Sequence, residues 1–575
     1  MKRIFRIPEL YLAFGIFSLF LLSFFGSAQV DDVRLVRNGE IREASFPISE
    51  KMDDRENFEI TFTWSPGILE NSRLDIHPDD CVDSAWVNGI SLDLEKYPGH
   101  CSWSQGFSIP FSDLRTFGQG KKEIRFAMHN GSGLAGILLE VKSDGFSGAF
   151  LRILLYLLTG TLLFCVARRF RVEPAFAAIF LLGIMIRFFY VQETNFEQRT
   201  HDVSGHIDYV GIVAEEHHIP AADECWTCYH PPVYYATSAL TWNVANLCGI
   251  FPQRTLQWES FLFSVFCLFL GLSALRLFLG KEISFFLAGI LWAFWPSVVF
   301  TAARIGNDSL FYLAHLACFW MCLRYLLSHK GKFLAFAAVF AGISFATKST
   351  GAVSIATYCV TVFLGFFGKS WHRPDRSEKL ALILGSLVCA ASGIFLLSHD
   401  ISGNVSGLKW VDVGNGPENY LIFDLKTFLL QPYTSPFDDA MGRQYFWNYL
   451  LKTSLFGEFR LLETPWGIFL ATSLSVLLLL LVYFCLRGIF YTKWNRLSLL
   501  FGFHGILFVA AALLFRIKYP FSCSNDFRYI VPVLLSFAPF AARGIVTERI
   551  RVLRFVGYVS IFSFALFSAL LILFL

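Results

Sequence analysis

Long apolar runs separated by short polar connections dominate the chain beyond its first 150 or so residues. Each run is close to the ~20 residues that a helix needs to cross a bilayer. The predicted spans are 9–28, 148–167, 174–192, 258–278, 283–303, 309–327, 333–349, 350–368, 378–397, 466–487, 496–515, 529–546 and 553–574. The pattern therefore predicts a polytopic α-helical membrane protein with about 13 transmembrane helices.

Basic residues occupy every second connection between these runs. They are Lys2, Arg3, Arg6, Arg168, Arg169, Arg171, Arg276, Lys281, Lys330, Lys332, Lys369, Arg373, Arg376, Lys379, Arg487, Lys493, Arg496, Arg549, Arg551 and Arg554. Because Lys and Arg stay on the cytoplasmic side of short loops, the amino terminus is predicted inside and the carboxyl terminus outside. Segment 1–28 could be a retained anchor or a signal peptide, since Gly26-Ser-Ala28 follows its apolar stretch.

The segment 29–147 is the one long polar stretch before the spans resume, and short alternating runs separated by turn residues such as Asn88-Gly89 fill it. This pattern predicts an exported β-sandwich. Trp86-Val-Asn-Gly89, Cys101-Ser-Trp103 and His129-Asn-Gly-Ser132 resemble the edges of galactose-binding, jelly-roll-like domains. That resemblance implies a sugar-binding module, although a structural lid or interaction domain fits equally well. A disulfide between Cys81 and Cys101 is expected outside the cytoplasm.

Composition agrees with a lipid-embedded chain. Hydrophobic residues make up 55% of it and charged residues only 16%, against roughly 25% charged in soluble domains. The 48 basic and 45 acidic side chains leave a net charge of +3, which argues against nucleic-acid binding. No P-loop signature is present. Polar residues that persist beside the membrane are therefore the candidates for function.

Two large loops on the non-basic side, 193–257 and 398–465, carry most of those residues. Matching motifs appear in order along the chain: His201-Asp202 with Gly205-His206 and Tyr209, His230-Pro-Pro-Val-Tyr-Tyr235, Arg304-Ile-Gly-Asn-Asp308, Thr347-Lys348 and Asn525-Asp-Phe-Arg-Tyr529. In this order residues 174–575 resemble the GT-C superfamily of polyprenyl-phosphate-sugar-dependent glycosyltransferases. Within it they are most similar to protein O-mannosyltransferases and lipid A aminoarabinose transferases.

The resemblance implies a GT-C fold, a hexosyl or pentosyl transferase of mannosyltransferase-like type, and a juxtamembrane helix at 231–250. The donor would be a polyprenyl- or dolichyl-phosphate sugar, and the acceptor a lipid, a glycan or a protein. The site would face the periplasm of a bacterial inner membrane, or the lumen of the endoplasmic reticulum in a eukaryote. The apolar and polar pattern predicts an anchor or signal peptide at 1–28, a β-domain at 29–147 and a connecting helix at 148–173. The resemblance adds a transferase domain at 174–575 with external loops 193–257 and 398–465.

Sugar transfer from a lipid phosphate needs a base for the acceptor hydroxyl and cations for the departing phosphate. The predicted catalytic residues are Asp202, as general base, and Asp308. The predicted donor-phosphate ligands are His230, Lys348, Arg528 and Arg304, and the predicted substrate-binding residues are His206, Tyr209, Tyr234 and Asp526. A single displacement of this kind inverts the anomeric centre without a nucleophilic carboxylate.

Structural roles compete with several of these assignments. Lys348 could snorkel outward, Arg304 could be an interfacial anchor, Asp308 could cap the helix that follows it, and Asp526 could form an ion pair. The histidine at 230 stands where the bacterial pattern of the superfamily has lysine.

Cofactor chemistry stays open at this stage. A divalent cation is possible, but the histidines and acids of the first loop fit no tetrahedral zinc pattern. The Cys225-Trp-Thr-Cys228 pair is expected to form a disulfide that stiffens the loop. Two other function classes are compatible with the chain: a polytopic transporter or flippase, and a non-catalytic glycan-binding scaffold.

Overall fold

The computed structural model describes residues 15–16, 28–44, 46, 48–66, 72–101, 106–131, 134–143, 145–169, 171–366, 374–398, 416, 418–433, 445–462, 464–520 and 524–575. The chain divides into two compact units, Met1–Val172 and Glu173–Leu575. Apart from residues 15–16 and 28, the predicted segment 1–28 lies outside the described residues.

The first unit contains two antiparallel sheets. Their strands are β1 (Gln29–Arg37), β2 (Glu40–Glu43), β3 (Ile48–Lys51), β4 (Asn57–Ser65), β5 (Ser72–Pro78), β6 (Cys81–Val87), β7 (Ile90–Leu92), β8 (Phe107–Pro110), β9 (Lys122–His129) and β10 (Leu134–Ser143). The sheet orders are β2-β1-β4-β9-β6-β7 and β3-β10-β5-β8. The helix α1 (Phe111–Arg115) follows β8, and α2 (Gly145–Arg169) follows β10.

Alternating side chains fill the space between the two sheets. Phe58, Ile60, Phe62 and Trp64 of β4 are all buried, as the period of two along a half-buried strand requires. Phe107 and Phe126, one from each sheet, lie with their ring centroids 6.3 Å apart. The structure thus has the predicted antiparallel sheet domain.

A tight turn and a disulfide hold strand ends of this domain. Asn88 and Gly89 take positive φ values of 51° and 77° and link β6 to β7, which is the turn geometry that an Asn-Gly pair favours in hairpins. Cys81 at the start of β6 is joined by a disulfide to Cys101.

The second unit is helical. Its helices are α3 (Pro174–Glu193), α4 (Val203–Gly211), α5 (Val233–Leu247), α6 (Pro252–Leu279), α7 (Ile283–Phe294), α8 (Pro296–Phe300), α9 (Asn307–Ser328), α10 (Gly331–Thr347), α11 (Ala352–Phe366), α12 (Arg376–Ser398), α13 (Glu418–Leu421), α14 (Leu425–Leu430), α15 (Phe446–Phe456), α16 (Pro465–Tyr491), α17 (Arg496–Lys518), α18 (Leu534–Val546) and α19 (Arg551–Leu573). A short 3₁₀ helix, Phe527–Val533, precedes α18.

Among the described residues, nine helices are long and apolar enough to cross a membrane. The pair 283–294 and 296–303, bent by 53°, gives a tenth if the two helices cross as one broken span. The bend lies at Pro296, which has no N–H for the helical ladder. The prediction of a polytopic α-helical protein is confirmed. Segment 231–250 forms α5, whose 15 residues are fewer than a spanning helix needs.

Close packing at the centre of this unit depends on glycine. A Cβ atom on Gly488 of α16 would lie 1.8 Å from the carbonyl oxygen of Phe540 in α18, and a Cβ on Gly544 would meet α16 at 1.9 Å. The most buried candidate spans are Phe527–Val546 and Asn307–Ser328. In their apolar windows, 72% and 67% of the residues are buried. Both spans begin beside the polar cluster described next.

Candidate functional site

Asp202 lies immediately before α4 in a left-handed backbone conformation, with φ of 54°. Its carbonyl accepts the N–H of His206 at 3.0 Å, but its side chain caps no helical N–H. The carboxylate instead accepts a hydrogen bond from Trp226 Nε1 at 3.2 Å and lies 3.7 Å from Arg528 Nη2. With 43% of its side chain exposed, Asp202 is oriented by two partners and still open to an incoming molecule.

A disulfide closes the short loop that supplies one of those partners. Cys225 and Cys228 are bonded to each other, and Trp226 lies between them in sequence. Gly205, one turn into α4, has no room for a Cβ, which would lie 2.8 Å from Thr227 and 3.1 Å from Trp226. The loop therefore packs directly on the helix that Asp202 begins. Sequence reasoning did not single out Trp226.

Arg528 is the central cation of the cluster. The preceding Asp526 caps the 3₁₀ helix by accepting the Arg528 backbone N–H at 3.0 Å. The Arg528 guanidinium has Nε 3.6 Å from Asp526 Oδ2 and donates from Nη2 to the Tyr529 hydroxyl at 3.1 Å. The Tyr312 hydroxyl of α9 donates to the Arg528 carbonyl. Residues of its own segment thus hold the guanidinium, and α9 holds the Arg528 backbone.

Lys348 and Asp308 form an ion pair beside Arg528. Lys348 follows α10 in an extended conformation, and its Nζ donates to Asp308 Oδ1 at 2.5 Å. Only 8% of the Lys348 side chain is exposed, so it does not snorkel outward. Asp308 is inside the first turn of α9 and makes no cap hydrogen bond. Lys348 Nζ and the Arg528 guanidinium carbon lie 5.1 Å and 5.0 Å from the Tyr529 ring centroid.

Neutral histidines line the inner side of the cluster. His206 Nδ1 is 2.8 Å from the Tyr235 hydroxyl, and its ring stacks on His230 with centroids 5.9 Å apart. Burial is the main cause that lowers the pKa of His206, to about 4, and Lys348 and Arg528 lower it further against the opposing charges of Asp202 and Asp308. The pKa of His230 lies well below its usual range, mainly because the ring is buried. The charges of His206, Lys348 and Arg528 lower it further.

Two of the predicted substrate-binding tyrosines are buried behind these histidines. Tyr209 stacks on Tyr235 with centroids 3.6 Å apart, and its hydroxyl is 3.5 Å from the His230 carbonyl. The Tyr234 hydroxyl accepts the Gly306 N–H at 3.0 Å. Gly306 has φ of 157°, which favours glycine, and a Cβ there would press against the His206 ring at 3.1 Å. These contacts fix the first loop against the start of α9.

Arg304 approaches from the break before α9. Its Nε donates to the Arg199 carbonyl at 2.9 Å, and its guanidinium carbon lies 5.3 Å from the Phe459 ring centroid. Its Nη2 is buried without a hydrogen-bond partner. Arg304 therefore ties the segment at Arg199 to the segment at Phe459, with one donor uncommitted.

A second acidic group lies next to Asp202. His201 has Nδ1 3.7 Å from Glu458 Oε2 and Nε2 3.5 Å from Asp526 Oδ2. Glu458 follows α15 and accepts the Tyr449 hydroxyl, while the Phe527 N–H donates to Thr453 Oγ of α15 at 3.0 Å. Burial, followed by Arg528 and Arg304, lowers the pKa of His201 well below its ordinary value. Burial raises the pKa of Asp526, against the attraction of Arg528.

No protein-family model and no curated protein matches this chain. The solved structures that are similar to it include two glycosyltransferases. One is the crystal structure of ArnT from Cupriavidus metallidurans bound to undecaprenyl phosphate, at 12% identity and a TM-score of 0.38, covering 67% of this chain and 62% of that one. The other is the cryo-EM structure of the arabinosyltransferase EmbB from Mycobacterium smegmatis, at 13% identity and a TM-score of 0.30, covering 95% of this chain and 64% of that one. This chain therefore matches less than two thirds of either.

The residues singled out in the sequence come together at one place in the second unit. Asp202, Asp308, Lys348 and Arg528 come from four separate segments and are joined by the contacts above. His206, His230 and Asp526 border them. Arg304 lies close enough for its charge to lower the pKa of His201, the residue before Asp202. Sequence reasoning assigned no role to Glu458 or Tyr529. A carboxylate directly after an apolar helix was the one available signal for Glu458.

Proposed function

We propose that the protein is a membrane glycosyltransferase of the GT-C type. It would transfer a hexose or pentose from a polyprenyl-phosphate donor to a hydroxyl group of a lipid, a glycan or a protein. The observation that supports this best is an accessible carboxylate, Asp202, placed 3.7 Å from the Arg528 guanidinium at the ends of apolar helices. An open base beside fixed cations is the arrangement that glycosyl transfer from a phosphate needs.

Asp202 acts as the general base in this mechanism. Its carboxylate accepts the proton of the acceptor hydroxyl while the hydroxyl oxygen attacks the anomeric carbon. The new bond joins that oxygen to the anomeric carbon, and the bond from the anomeric carbon to the phosphate oxygen breaks. One displacement inverts the anomeric centre and leaves no glycosyl-enzyme intermediate.

Arg528 and Lys348 stabilise the departing phosphate. Negative charge grows on the phosphate oxygens as the bond breaks, and cations already fixed in place lower the energy of that state. Arg528 offers a planar fork of donors that suits paired oxygens. Its 3.7 Å separation from Asp202 is longer than a hydrogen bond, so the guanidinium can bind phosphate without first breaking a tight ion pair.

A lipid-borne donor agrees with the position of these cations. Lys348 connects two apolar helices and Arg528 lies in the first turn of a candidate span, so a phosphate held there can keep its hydrocarbon chain in the bilayer. The alternation of basic connections supports an extracytoplasmic position for this end of the helices. The expected location is a bacterial inner membrane with a periplasmic site, or the endoplasmic reticulum with a lumenal one.

Replacement of the base tests the proposal. Asp202→Asn keeps the shape and the Trp226 contact but cannot take up a proton at neutral pH. We expect transfer from labelled polyprenyl-phosphate hexoses and pentoses to fall about 10²–10⁴-fold, the usual contribution of a general base. The assay uses membranes with native acceptors and measures label in the lipid, glycan and protein fractions separately.

The matched control is Asp208→Asn. Asp208 lies on the same short helix and is exposed, so its loss should leave transfer within about twofold of wild type. Equal monodispersity in detergent checks folding of both variants. Wild-type-like transfer by Asp202→Asn would reject the proposed role of this residue.

A further inference from the structure

Three side chains next to Asp202 converge on one point. His201 belongs to the first external loop, Glu458 to the second, and Asp526 immediately precedes a span. One nitrogen or oxygen atom from each can be chosen so that all three lie within 4.8 Å of one another. Ligand atoms held at 2.0–2.2 Å by a single ion are at most about 4.4 Å apart. Three ligands spread around one ion lie about 3.5 Å apart at those bond lengths, so the three side chains would move closer together as they bind it.

The contacts within this group are too long for hydrogen bonds. The two closest approaches of the His201 imidazole to the carboxylates are 3.5 Å and 3.7 Å, whereas N–H···O bonds measure about 2.7–3.2 Å. Both His201 Nε2 and Asp526 Oδ2 are buried without a hydrogen-bond partner. An imidazole nitrogen and a carboxylate oxygen thus face each other across a gap.

Burial makes this gap costly if it stays empty. The Asp526 side chain is 2% exposed and the Glu458 side chain 1%, and a buried carboxylate needs a cation or a full set of hydrogen bonds. The cation nearest Asp526 Oδ2 is Arg528, at 3.6 Å, and its guanidinium also faces Asp202. A divalent ion would satisfy the imidazole and the carboxylate together.

We propose that His201, Glu458 and Asp526 form a binding site for a divalent metal ion. One imidazole with two carboxylates is a mixed nitrogen and oxygen donor set, which suits Zn²⁺ or Mn²⁺ better than Ca²⁺, an ion that takes six to eight oxygens. The ion would clamp both external loops to the start of the span at Phe527. Since His201 adjoins Asp202 and Asp526 is two residues from Arg528, the site positions the base and the main cation.

Metal content of the purified full-length protein tests this directly. The protein in detergent is stripped of metal with EDTA and then supplied with Zn²⁺ or Mn²⁺. After unbound metal has been removed, the bound metal is measured by inductively coupled plasma mass spectrometry. We expect about one equivalent per chain in wild type and an affinity at least tenfold lower in Glu458→Gln. Wild type that retains no metal, or Glu458→Gln that binds as wild type does, would overturn the proposal.

The matched control is the exposed group Glu216, His218 and Glu224, whose ligand atoms meet the same 4.8 Å limit. His218→Ala should leave the metal stoichiometry unchanged. If this variant instead loses the metal, the ion binds at the exposed group and the proposal is overturned. Electron spin echo spectra of Mn²⁺-loaded wild type should show coupling to an imidazole nitrogen, which needs no variant to fold. Lack of that coupling would count against His201.

Metal binding and sugar transfer can be judged separately. Asp202→Asn should bind metal like wild type while its transfer is lost. If Asp202→Asn transfers normally but Glu458→Gln loses metal, the proposed base is wrong and the metal site stands.

Discussion

Lys330 and Lys348 stand at opposite ends of α10, and their surroundings differ completely. Lys330 is exposed at the basic, predicted cytoplasmic connection. Lys348 is 7% exposed and pairs with Asp308. An ammonium group is held in such a position only where a partner offsets its desolvation. The same residue type is thus solvated at one end of the helix and buried in an ion pair at the other.

Substitution of the two lysines should separate these roles. Lys348→Met removes a fixed cation from the proposed phosphate site, and we expect transfer to fall about 10²–10³-fold, as when a preorganised charge-stabilising group is lost. Lys330→Met should change transfer less than twofold. The measurement is the initial rate of label transfer at saturating donor, with protein amount normalised by fluorescence-detected size exclusion. Similar losses in both variants would mean that the effect is not specific to the site.

At the scale of the helices, a chain of buried hydrogen bonds crosses the bundle below the site. His315 Nε2 of α9 and His504 Nε2 of α17 are 2.9 Å apart. The other nitrogens, His315 Nδ1 and His504 Nδ1, lie 2.8 Å and 2.7 Å from Ser354 Oγ and Ser536 Oγ. The Ser536 hydroxyl donates to the Phe501 carbonyl, so His504 Nδ1 must be the donor to Ser536. His315 Nε2 then donates to His504, and His315 Nδ1 accepts from Ser354.

Each hydrogen bond in this series fixes which atom donates in the next, so its members depend on one another. Helices α9 and α18 are the continuations of the segments that carry Asp308 and Arg528, and α11 follows the break at Lys348. The chain thus ties together the elements that deliver the charged residues to the site. An apolar sequence pattern gave no indication of this link, because a histidine inside a predicted span carries no information about which other helix it faces.

A double-mutant cycle tests the link. His315→Leu or His504→Leu each leaves a buried polar partner unsatisfied, at a cost of about 1–3 kcal/mol. The double variant should cost less than the sum of the two, with an interaction free energy of about 0.5–3 kcal/mol. The free energy of unfolding is measured by denaturant titration in mild detergent. Additive costs would show that the two rings are not coupled.

For the molecule as a whole, buried neutral histidines make stability depend on pH. The folded-state pKa of His206 is lowered from 6.5 to about 4, and those of His201 and His230 are lowered as well. Between these values and 6.5 the unfolded chain binds more protons than the folded one. The free energy of unfolding therefore rises with pH across this window. The stability contributed by these neutral histidines is lost as pH falls from about 6.5 towards 4.

We expect His206 alone to account for about 3 kcal/mol of this loss, since each pKa unit corresponds to 1.36 kcal/mol. Thermal unfolding in detergent at pH values from 7.5 to 5 measures the slope. His206→Asn should flatten the dependence, whereas the exposed His218→Asn should keep the wild-type slope. Identical slopes in wild type and His206→Asn would contradict the buried, neutral state of this ring.

Much of the architecture follows from the sequence because lipid imposes a simple rule. Every backbone polar group in the bilayer must be satisfied within its own helix, so apolar length alone defines the spans. The predicted runs from 174 onward coincide with helices of the second unit, and alternation along β4 predicts its buried face. The same reasoning made the ionisable residues beside the membrane candidates for function, and the resemblance to the GT-C motifs then singled out Asp202, Lys348 and Arg528.

The sequence by itself therefore determined the spans, the sheet domain and the charged residues that could do chemistry. Only the tertiary structure decided which of them meet. Trp226 reaches Asp202 across a loop, Glu458 reaches His201 from about 250 residues away in the chain, and His315 reaches His504 inside the bundle. Periodicity reports which face of an element is buried, but the partner across that face depends on how helices pack, and packing is a property of many residues at once.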